Sequence, residues 1–154
     1  MAGLKKGDQA PEFSFTDASG TKRSLVDFRG KKVALYFYPK DNTPGCTAEA
    51  CSLRDHYSDL TSKGIEVIGV SADSEKSHQG FRAKFGLPFH LISDPDRKVI
   101  EAYGVWGEKK MMGRKYMGIM RHTFIIDESG RIETVIEKVE TAKHAQQILR
   151  ELNF

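Results

Sequence analysis

The chain has 154 residues, of which 39% are hydrophobic and 29% are charged. That length suits a single domain, residues 1–154, which can bury a core without metal or disulfide staples. The formal charge is +3, with 24 basic residues scattered among 21 acidic ones, which argues against nucleic acid or an anionic lipid surface as the main partner.

The first half of the chain alternates between strand and helix patterns. The segments FSFTD and TKRSL, which flank a turn at residues 18–20, predict an N-terminal β-hairpin. KVALYFYP is a continuous apolar run that Pro39 ends, which is typical of a strand buried on both faces. A helical pattern covers residues 46–63, and a second buried strand, IEVIGVSA, leads to a helix over residues 74–85.

The second half continues this alternation. FHLISD predicts a third strand, and PDRKVIEAYG a short helix with a proline in its first turn. A polar loop containing GEKKMMGRKYMG follows. RHTFIID and RIETVIEKV predict an antiparallel hairpin, and AKHAQQILREL a last helix capped by Thr141. This order of elements predicts one α/β domain with a mixed central sheet flanked by helices.

The ends and the cysteine content indicate where the protein works. The N-terminal sequence MAGLKKGDQAPEF has no apolar segment like that of a signal peptide, and no stretch approaches membrane-spanning length. Two cysteines in such a chain are typical of a reducing compartment, where a close pair is more often reactive or metal-binding than structural. We therefore expect a cytoplasmic protein with no membrane partner.

Both cysteines lie in the segment YPKDNTPGCTAEAC, and Cys46 follows the first long buried strand at the start of a predicted helix. Reactive groups of open α/β sheets gather at such strand-to-helix junctions. Unpaired backbone N–H groups and the helix macrodipole favour a thiolate there. Thr43 can offer a hydroxyl to the sulfur or its substrate, Pro39 and Pro44 stiffen the loop, and Arg121 is the best candidate for a nearby cation.

The distance between Cys46 and Cys51 leaves two interpretations open. In an ideal helix, residues five apart are separated by about 8.7 Å between Cα atoms, whereas a disulfide needs less than about 7 Å. The two thiols are therefore either independent, or they meet only after part of the helix unwinds. The spacing alone does not decide between these interpretations.

Three other functions can be weighed on the same residues. A zinc-binding module would use Cys46 and Cys51 with two of the five histidines, but these occur singly, without the paired spacing of zinc sites. A protein thiol-disulfide oxidoreductase would be expected to carry a C-x-x-C motif, which the chain lacks. The basic residues of GEKKMMGRKYMG belong to no nucleic-acid-binding module, so a solvated loop is the simpler interpretation.

The segment YPKDNTPGCTAEACSLRD resembles the active-site segment of peroxiredoxins, specifically the bacterioferritin-comigratory-protein or peroxiredoxin Q group. The match includes the family motif P-x-x-x-T-x-x-C, formed here by Pro39, Thr43 and Cys46, with a second cysteine five residues on. It extends to GDQAPEF near the start, to YGVWGEKKMMGRKYMGIMRHTFIID, and to the closing hairpin and helix. The resemblance thus covers essentially the whole chain.

The resemblance implies a thioredoxin-like fold and thiol-dependent reduction of hydrogen peroxide and organic hydroperoxides, with thioredoxin as the usual electron donor. It further implies a monomer that needs no haem, flavin or metal. In this scheme the Cys46 thiolate becomes a sulfenic acid, which Cys51 converts into an intramolecular disulfide. Arg121 and the Cys46 backbone N–H would stabilise the leaving oxygen, while Thr43 orients the peroxide and Pro39 shields the sulfur from water.

Overall fold

The structure is a computed structural model that describes residues 3–154. Residues 1 and 2, which the predicted domain includes, lie outside the described range. The strands are β1 (Ser14–Thr16), β2 (Lys22–Ser24), β3 (Lys32–Phe37), β4 (Ile65–Ser71), β5 (His90–Ser93), β6 (Trp106–Met111), β7 (Arg114–Ile119), β8 (His122–Ile126) and β9 (Ile132–Ile136). The helices are α1 (Pro44–Asp55), α2 (Tyr57–Ser62), α3 (Glu75–Phe85), α4 (Lys98–Ala102) and α5 (His144–Glu151).

The central sheet is mixed and has the strand order β5-β4-β3-β8-β9. β3 pairs in parallel with β4, and β4 with β5, whereas β8 runs antiparallel to both β3 and β9. β1 and β2 form a separate antiparallel hairpin at the N-terminal side. The predicted mixed sheet and the predicted N-terminal hairpin are therefore both confirmed.

Both faces of the sheet are covered, because β3 and β4 carry continuous apolar runs whose side chains point to both sides. One face packs against apolar residues of α1, α2, α3 and α5, including Leu53 and Ile148. The other face packs against the N-terminal hairpin region and the segment that contains α4, including Phe15 and Ile100. The sheet thus holds α1 at its central strands, where β3 ends.

Gly69 lies between two large side chains in the middle of the sheet. Its register partners are Tyr36 on β3 and Leu91 on β5. A Cβ atom at position 69 would lie 2.8 Å from the Tyr36 ring and 2.9 Å from the Leu91 side chain, closer than real carbon contacts allow. Glycine at this position therefore makes room for the Tyr36 ring beneath α1.

The predicted helix over residues 46–63 differs from the structure, which has two helices there. α1 begins two residues earlier than predicted and ends at Asp55, and α2 starts at Tyr57. His56 separates them: its ring Nδ1 lies 3.1 Å from the Ser52 carbonyl oxygen, and its own amide donates to Arg54 instead. A side chain therefore takes the carbonyl that the next backbone hydrogen bond of a continuous helix would use.

The predicted polar loop after α4 is wrong, because residues 106–119 form a β-hairpin. β6 and β7 pair with each other in antiparallel register, and the turn residues Met112 and Gly113 both have positive φ, at 52° and 79°. That combination is favoured in two-residue hairpin turns. The hairpin carries mostly exposed residues on both faces, and Arg97 packs over its Trp106 ring, 4.4 Å from the ring centroid.

Two helix starts also differ from prediction. α4 begins after Pro95, because residues 94–97 form a turn and the Asp94 carboxylate accepts a hydrogen bond from the Ile100 amide at 2.8 Å. Before α5, residues Thr141–Lys143 form a short 3-10 turn, and Thr141 does not cap the helix. Among the described residues, no helix combines the length and apolar character needed to cross a membrane.

Candidate active site

The first turn of α1 places Cys46 directly after the end of β3. Thr43 is the N-cap residue with extended backbone angles (φ −86°, ψ 154°), Pro44 is the first helical residue, and Cys46 is the third. The first backbone bond of the helix runs from Thr47 N to the Thr43 carbonyl at 2.8 Å. The amides of Gly45 and Cys46 precede that bond, so they point toward the space in front of the helix without intrahelical partners.

Arg121, which directly precedes β8, lies against this helix turn. Its Nη2 donates to the Cys46 Sγ at 3.4 Å, and its Nη1 donates to Glu49 Oε1 at 2.7 Å. Cys46 is only 1% exposed, and the Glu49 side chain is completely buried. A single guanidinium thus bridges the sulfur and a buried carboxyl one helical turn away. Of the predicted site residues, Arg121 and Cys46 are therefore in direct contact.

The protonation states of Glu49 and Arg121 each reflect two opposing effects, burial and the charge of the neighbouring groups. Burial raises the pKa of Glu49 to about 7, against the lowering effect of the Arg121 charge. Burial works against the Arg121 cation too, but Glu49 and Cys46 outweigh it and raise the pKa of the guanidinium. Arg121 therefore stays charged, while Glu49 can gain or lose a proton near neutral pH.

A second layer of buried groups continues from Glu49 toward α5. Glu49 Oε2 lies 3.4 Å from His144 Nε2, and that nitrogen lies 2.7 Å from the Thr123 hydroxyl. Burial lowers the pKa of His144 to about 4, so its ring is neutral at pH 7. Neither Glu49 nor His144 belonged to the predicted site. For Glu49, the three-residue spacing from Cys46, which places both on one helix face, was the available signal.

The loop between β3 and α1 is fixed by Asp41, whose side chain is buried. Its carboxylate accepts hydrogen bonds from the Tyr38 hydroxyl at 2.6 Å and the Ser77 hydroxyl at 2.8 Å, and it contacts His78 Nδ1 at 2.7 Å. The Asp41 amide donates to Asp73 at 2.8 Å. These bonds tie the loop that carries Pro39 and Thr43 to α3 and to the segment that follows β4.

The remaining predicted site residues are close in sequence to Cys46 but make different contacts. The Thr43 hydroxyl does not donate to the sulfur; it donates to the Lys40 carbonyl at 2.8 Å, which leaves its oxygen lone pairs free to accept a bond. Pro39 is half-buried at the end of β3. Cys51 is half-buried on α1, and both cysteines are free thiols in one continuous helix.

The cysteines do not form part of a metal-binding cluster among residues 3–154. The cluster of potential metal ligands found there is Asp41, Asp73 and His78, whose ligand atoms lie within 4.8 Å of one another. Those atoms already bond to each other and to neighbouring hydroxyl and amide groups. Their geometry is that of a structural hydrogen-bond network.

The site thus consists of a buried cysteine at the start of a helix, in contact with an arginine and placed at the end of a central strand. Residues 6–135 match the AhpC/TSA family. The chain belongs to this family, whose members of the peroxiredoxin type are thiol-dependent peroxidases. The protein is therefore an enzyme that reduces hydroperoxides with electrons from a thiol reductant.

Relatives that match nearly the whole chain narrow the family to peroxiredoxins of the Bcp and Q group, as the sequence resemblance predicted. Peroxiredoxin Bcp of Escherichia coli is 46% identical over 149 residues, which cover 97% of this chain and 96% of the relative. A cysteine-to-serine variant of Xylella fastidiosa peroxiredoxin Q gives a TM-score of 0.90 at 34% identity, over 99% of this chain and 98% of that chain.

A third relative is the bacterioferritin comigratory protein of Xanthomonas campestris, whose structures address its alkyl peroxide reduction activity. It gives a TM-score of 0.84 at 37% identity, over 92% of this chain and 90% of that chain. These solved peroxiredoxins confirm the predicted thioredoxin-like fold.

Proposed function

We propose that Cys46 is the peroxide-reacting cysteine and that hydrogen peroxide and organic hydroperoxides are its substrates. The Cys46 thiolate attacks one peroxide oxygen, and an S–O bond forms as the O–O bond breaks. The departing oxygen takes up a proton and leaves as water or an alcohol, and Cys46 becomes a sulfenic acid. The contact between Arg121 Nη2 and Cys46 Sγ, 3.4 Å, is the observation that carries this proposal.

The groups around the sulfur have complementary roles in this step. The Arg121 charge favours the thiolate and, together with the Cys46 amide, stabilises the negative charge that develops on the leaving oxygen. The Thr43 hydroxyl oxygen, with its hydrogen held by Lys40, accepts a hydrogen bond from the incoming hydroperoxide and so orients it. Pro39 covers the sulfur and excludes water.

In the second step, Cys51 resolves the sulfenic acid. Its thiol sulfur attacks the Cys46 sulfur, water leaves, and an intramolecular disulfide forms. Because both cysteines lie in α1, the helix must unwind locally before the sulfurs meet. A dithiol protein, thioredoxin, then reduces the disulfide and restores both thiols.

The same scheme predicts the oligomeric state of the protein and its location in the cell. An intramolecular disulfide needs no second subunit, so a monomer formed by one domain is sufficient. Reduction by thioredoxin requires a reducing compartment, which agrees with a cytoplasmic location. No metal, haem or flavin takes part in either step.

The mass of the reduced protein after one equivalent of hydrogen peroxide tests the scheme. We expect a loss of two hydrogens without cross-linking between chains, and recovery of the original mass after addition of thioredoxin. Peptide mapping should place the bond between Cys46 and Cys51. An unchanged mass, or a cross-linked dimer, would contradict the proposed cycle.

A further inference from the structure

We propose that His144 is a positioning residue for the peroxide step. Its unprotonated Nε2 lies next to Glu49 Oε2 and favours the neutral, protonated form of Glu49, although the nearby Arg121 charge favours the carboxylate. His144 lies on α5, far from Cys46 in the sequence, and does not touch the sulfur. The inference rests on the proposed role of Cys46. The inference adds His144, on the C-terminal helix, to the groups that determine how the charge of Arg121 is shared between Glu49 and Cys46.

The tautomer of His144 follows from its neighbours. The side-chain nitrogen of Gln147 donates to the Lys138 carbonyl at 2.8 Å, so the other end of this amide is its oxygen. That oxygen accepts from the Glu140 amide at 2.9 Å and lies 2.9 Å from His144 Nδ1. Because an oxygen with no hydrogen can only accept, Nδ1 must donate and therefore carries the ring hydrogen.

A neutral imidazole has one ring hydrogen, so His144 Nε2 has none. Burial lowers the pKa of His144 to about 4, which keeps the ring neutral in the physiological range. Nε2 accepts from the Thr123 hydroxyl at 2.7 Å. Its remaining neighbour is Glu49 Oε2, at 3.4 Å, and this oxygen is buried without a hydrogen-bond partner.

Two atoms that both act as acceptors repel each other when they meet in a buried site. A proton on Glu49 Oε2 removes that repulsion, because a hydrogen then lies between the oxygen and the nitrogen lone pair, which the Thr123 hydroxyl also uses. The other oxygen, Oε1, remains an acceptor and still takes the hydrogen bond from Arg121 Nη1 at 2.7 Å. The neutral acid is thus compatible with both neighbours, whereas the carboxylate is repelled by the His144 nitrogen and is compatible only with Arg121.

The charged and titratable groups around Glu49 come from four elements. They are Arg121 beside β8, His144 on α5, Tyr36 on β3 and, through the shared guanidinium, Cys46 on α1 itself. Burial, followed by the charge of Glu49, raises the pKa of the Tyr36 hydroxyl, so Tyr36 stays neutral. Arg121 is the one permanent charge in this set, and His144 is the neutral acceptor that opposes its effect on Glu49.

The protonation state of Glu49 decides how the guanidinium charge is shared. When Glu49 is ionised, Arg121 pairs with two anions, the carboxylate and the thiolate. When Glu49 is neutral, the full charge of Arg121 stabilises the Cys46 thiolate and the leaving oxygen. By favouring the neutral acid, His144 directs the charge of Arg121 toward the reacting atoms.

Infrared difference spectroscopy of the reduced full-length protein measures this directly, because a protonated carboxyl group and a carboxylate absorb at different frequencies. Glu49→Gln, which removes the band, assigns it. In His144→Leu, we expect the midpoint pH of the Glu49 band to fall by about one unit, the size expected when one polar contact that favours the protonated form is lost. The pH dependence of the single-turnover peroxide rate should shift in the same direction.

Gln147→Leu tests the same idea while the imidazole stays in place. Without the Gln147 oxygen, the ring hydrogen can move to Nε2, so that this nitrogen no longer presents a lone pair to Glu49 Oε2 and the midpoint should again fall. Gln146→Leu, at the exposed neighbouring position, is the matched control and should leave the midpoint unchanged. Circular dichroism would verify that each variant is folded.

An unchanged Glu49 midpoint in a folded His144→Leu or Gln147→Leu protein would overturn the inference. That outcome is distinct from failure of the proposed function, which would appear as peroxide reduction by Cys46→Ser. The infrared titration needs neither peroxide nor turnover, so it reports on His144 in either case.

Discussion

His78 and Asp41 form a buried ion pair beside the loop that leads to α1. Nδ1 and Oδ2 lie 2.7 Å apart, and the side chains are 0% and 1% exposed. The other ring nitrogen of His78 lies 3.0 Å from the Ile92 carbonyl, an acceptor. Both nitrogens therefore face acceptors, which favours the doubly protonated, charged ring.

Asp41→Asn should lower the free energy of unfolding by about 3 kcal/mol, since removing one partner of a buried pair leaves the other uncompensated. Burial opposes the charge on His78, but Asp41 outweighs it and raises the pKa of His78 above 6.5. Burial likewise opposes the Asp41 charge, but hydrogen bonds, led by that of His78, lower the pKa of Asp41 below 3.8.

The sign of each shift sets the pH range of this effect. The contribution of His78 is complete below pH 6.5 and is lost as pH rises through its folded-state pKa. The contribution of Asp41 is complete above pH 3.8 and is lost as pH falls through its folded-state pKa. Urea unfolding should therefore show the largest deficit between these values, with exposed Asp96→Asn as the control. An equal deficit at every pH would count against the charged pair.

The two cysteines should differ in single-turnover experiments. Cys46→Ser should abolish peroxide reduction, because no other nucleophile lies at the start of α1. Cys51→Ser should still reduce one equivalent of peroxide and then stop as a sulfenic acid, which a small thiol can reduce. Mass spectrometry after one equivalent of peroxide distinguishes these products. Complete loss of single-turnover activity in both variants would contradict the assignment.

Replacement of Arg121 should impair the peroxide step. Arg121→Lys keeps the charge but loses the planar group that contacts Glu49 and Cys46 together. We expect the second-order rate with hydrogen peroxide to fall by about tenfold or more, with a larger loss and slower alkylation of Cys46 in Arg121→Met. Arg114→Met, on the exposed face of β7, is the matched control. Unchanged kinetics in Arg121→Met would remove this residue from the site.

Oxidation should reduce hydrogen-exchange protection across residues 45–56. The helix must open for Cys46 and Cys51 to meet, whereas the buried strands beneath it should keep their protection. The Ala145 amide donates a hydrogen bond to Ser52 Oγ at 3.1 Å, and this bond should weaken when the helix opens. Exchange monitored by mass spectrometry in both redox states gives the comparison, and Cys51→Ser treated with peroxide should retain its protection. Equal protection in wild type, with the disulfide verified, would contradict helix unwinding.

The core of the fold is predictable because its signals are local. β3 is a continuous apolar run that Pro39 ends, and β4 is mostly apolar, so the burial of both strands follows from sequence. The hairpin of β6 and β7 gives no such signal, since side chains on both of its faces meet solvent and no alternation arises. The end of α1 is set by the ring of His56, a contact that periodicity does not contain.

The residues of the site also fall into those that a local motif predicts and those that long-range packing brings together. The motif residues Pro39, Thr43 and Cys46 lie together in sequence, and Arg121 could be proposed from a second segment. The contact between Glu49 and His144 depends on how α5 packs across α1, which no local pattern specifies. Long-range packing of buried polar groups is therefore the part of the site that sequence reasoning missed.

The close fit of the Tyr36 ring and the Leu91 side chain around Gly69 couples substitutions at these three positions. Any side chain at position 69 meets the Tyr36 ring at 2.8 Å, and Leu91 closes the other side at 2.9 Å. A lineage that acquired alanine at position 69 would first need a smaller residue at position 36, under the active-site helix, and more room at position 91. Substitutions at these positions should therefore accumulate together, and any redesign of the sheet beneath α1 must change three neighbouring strands at once.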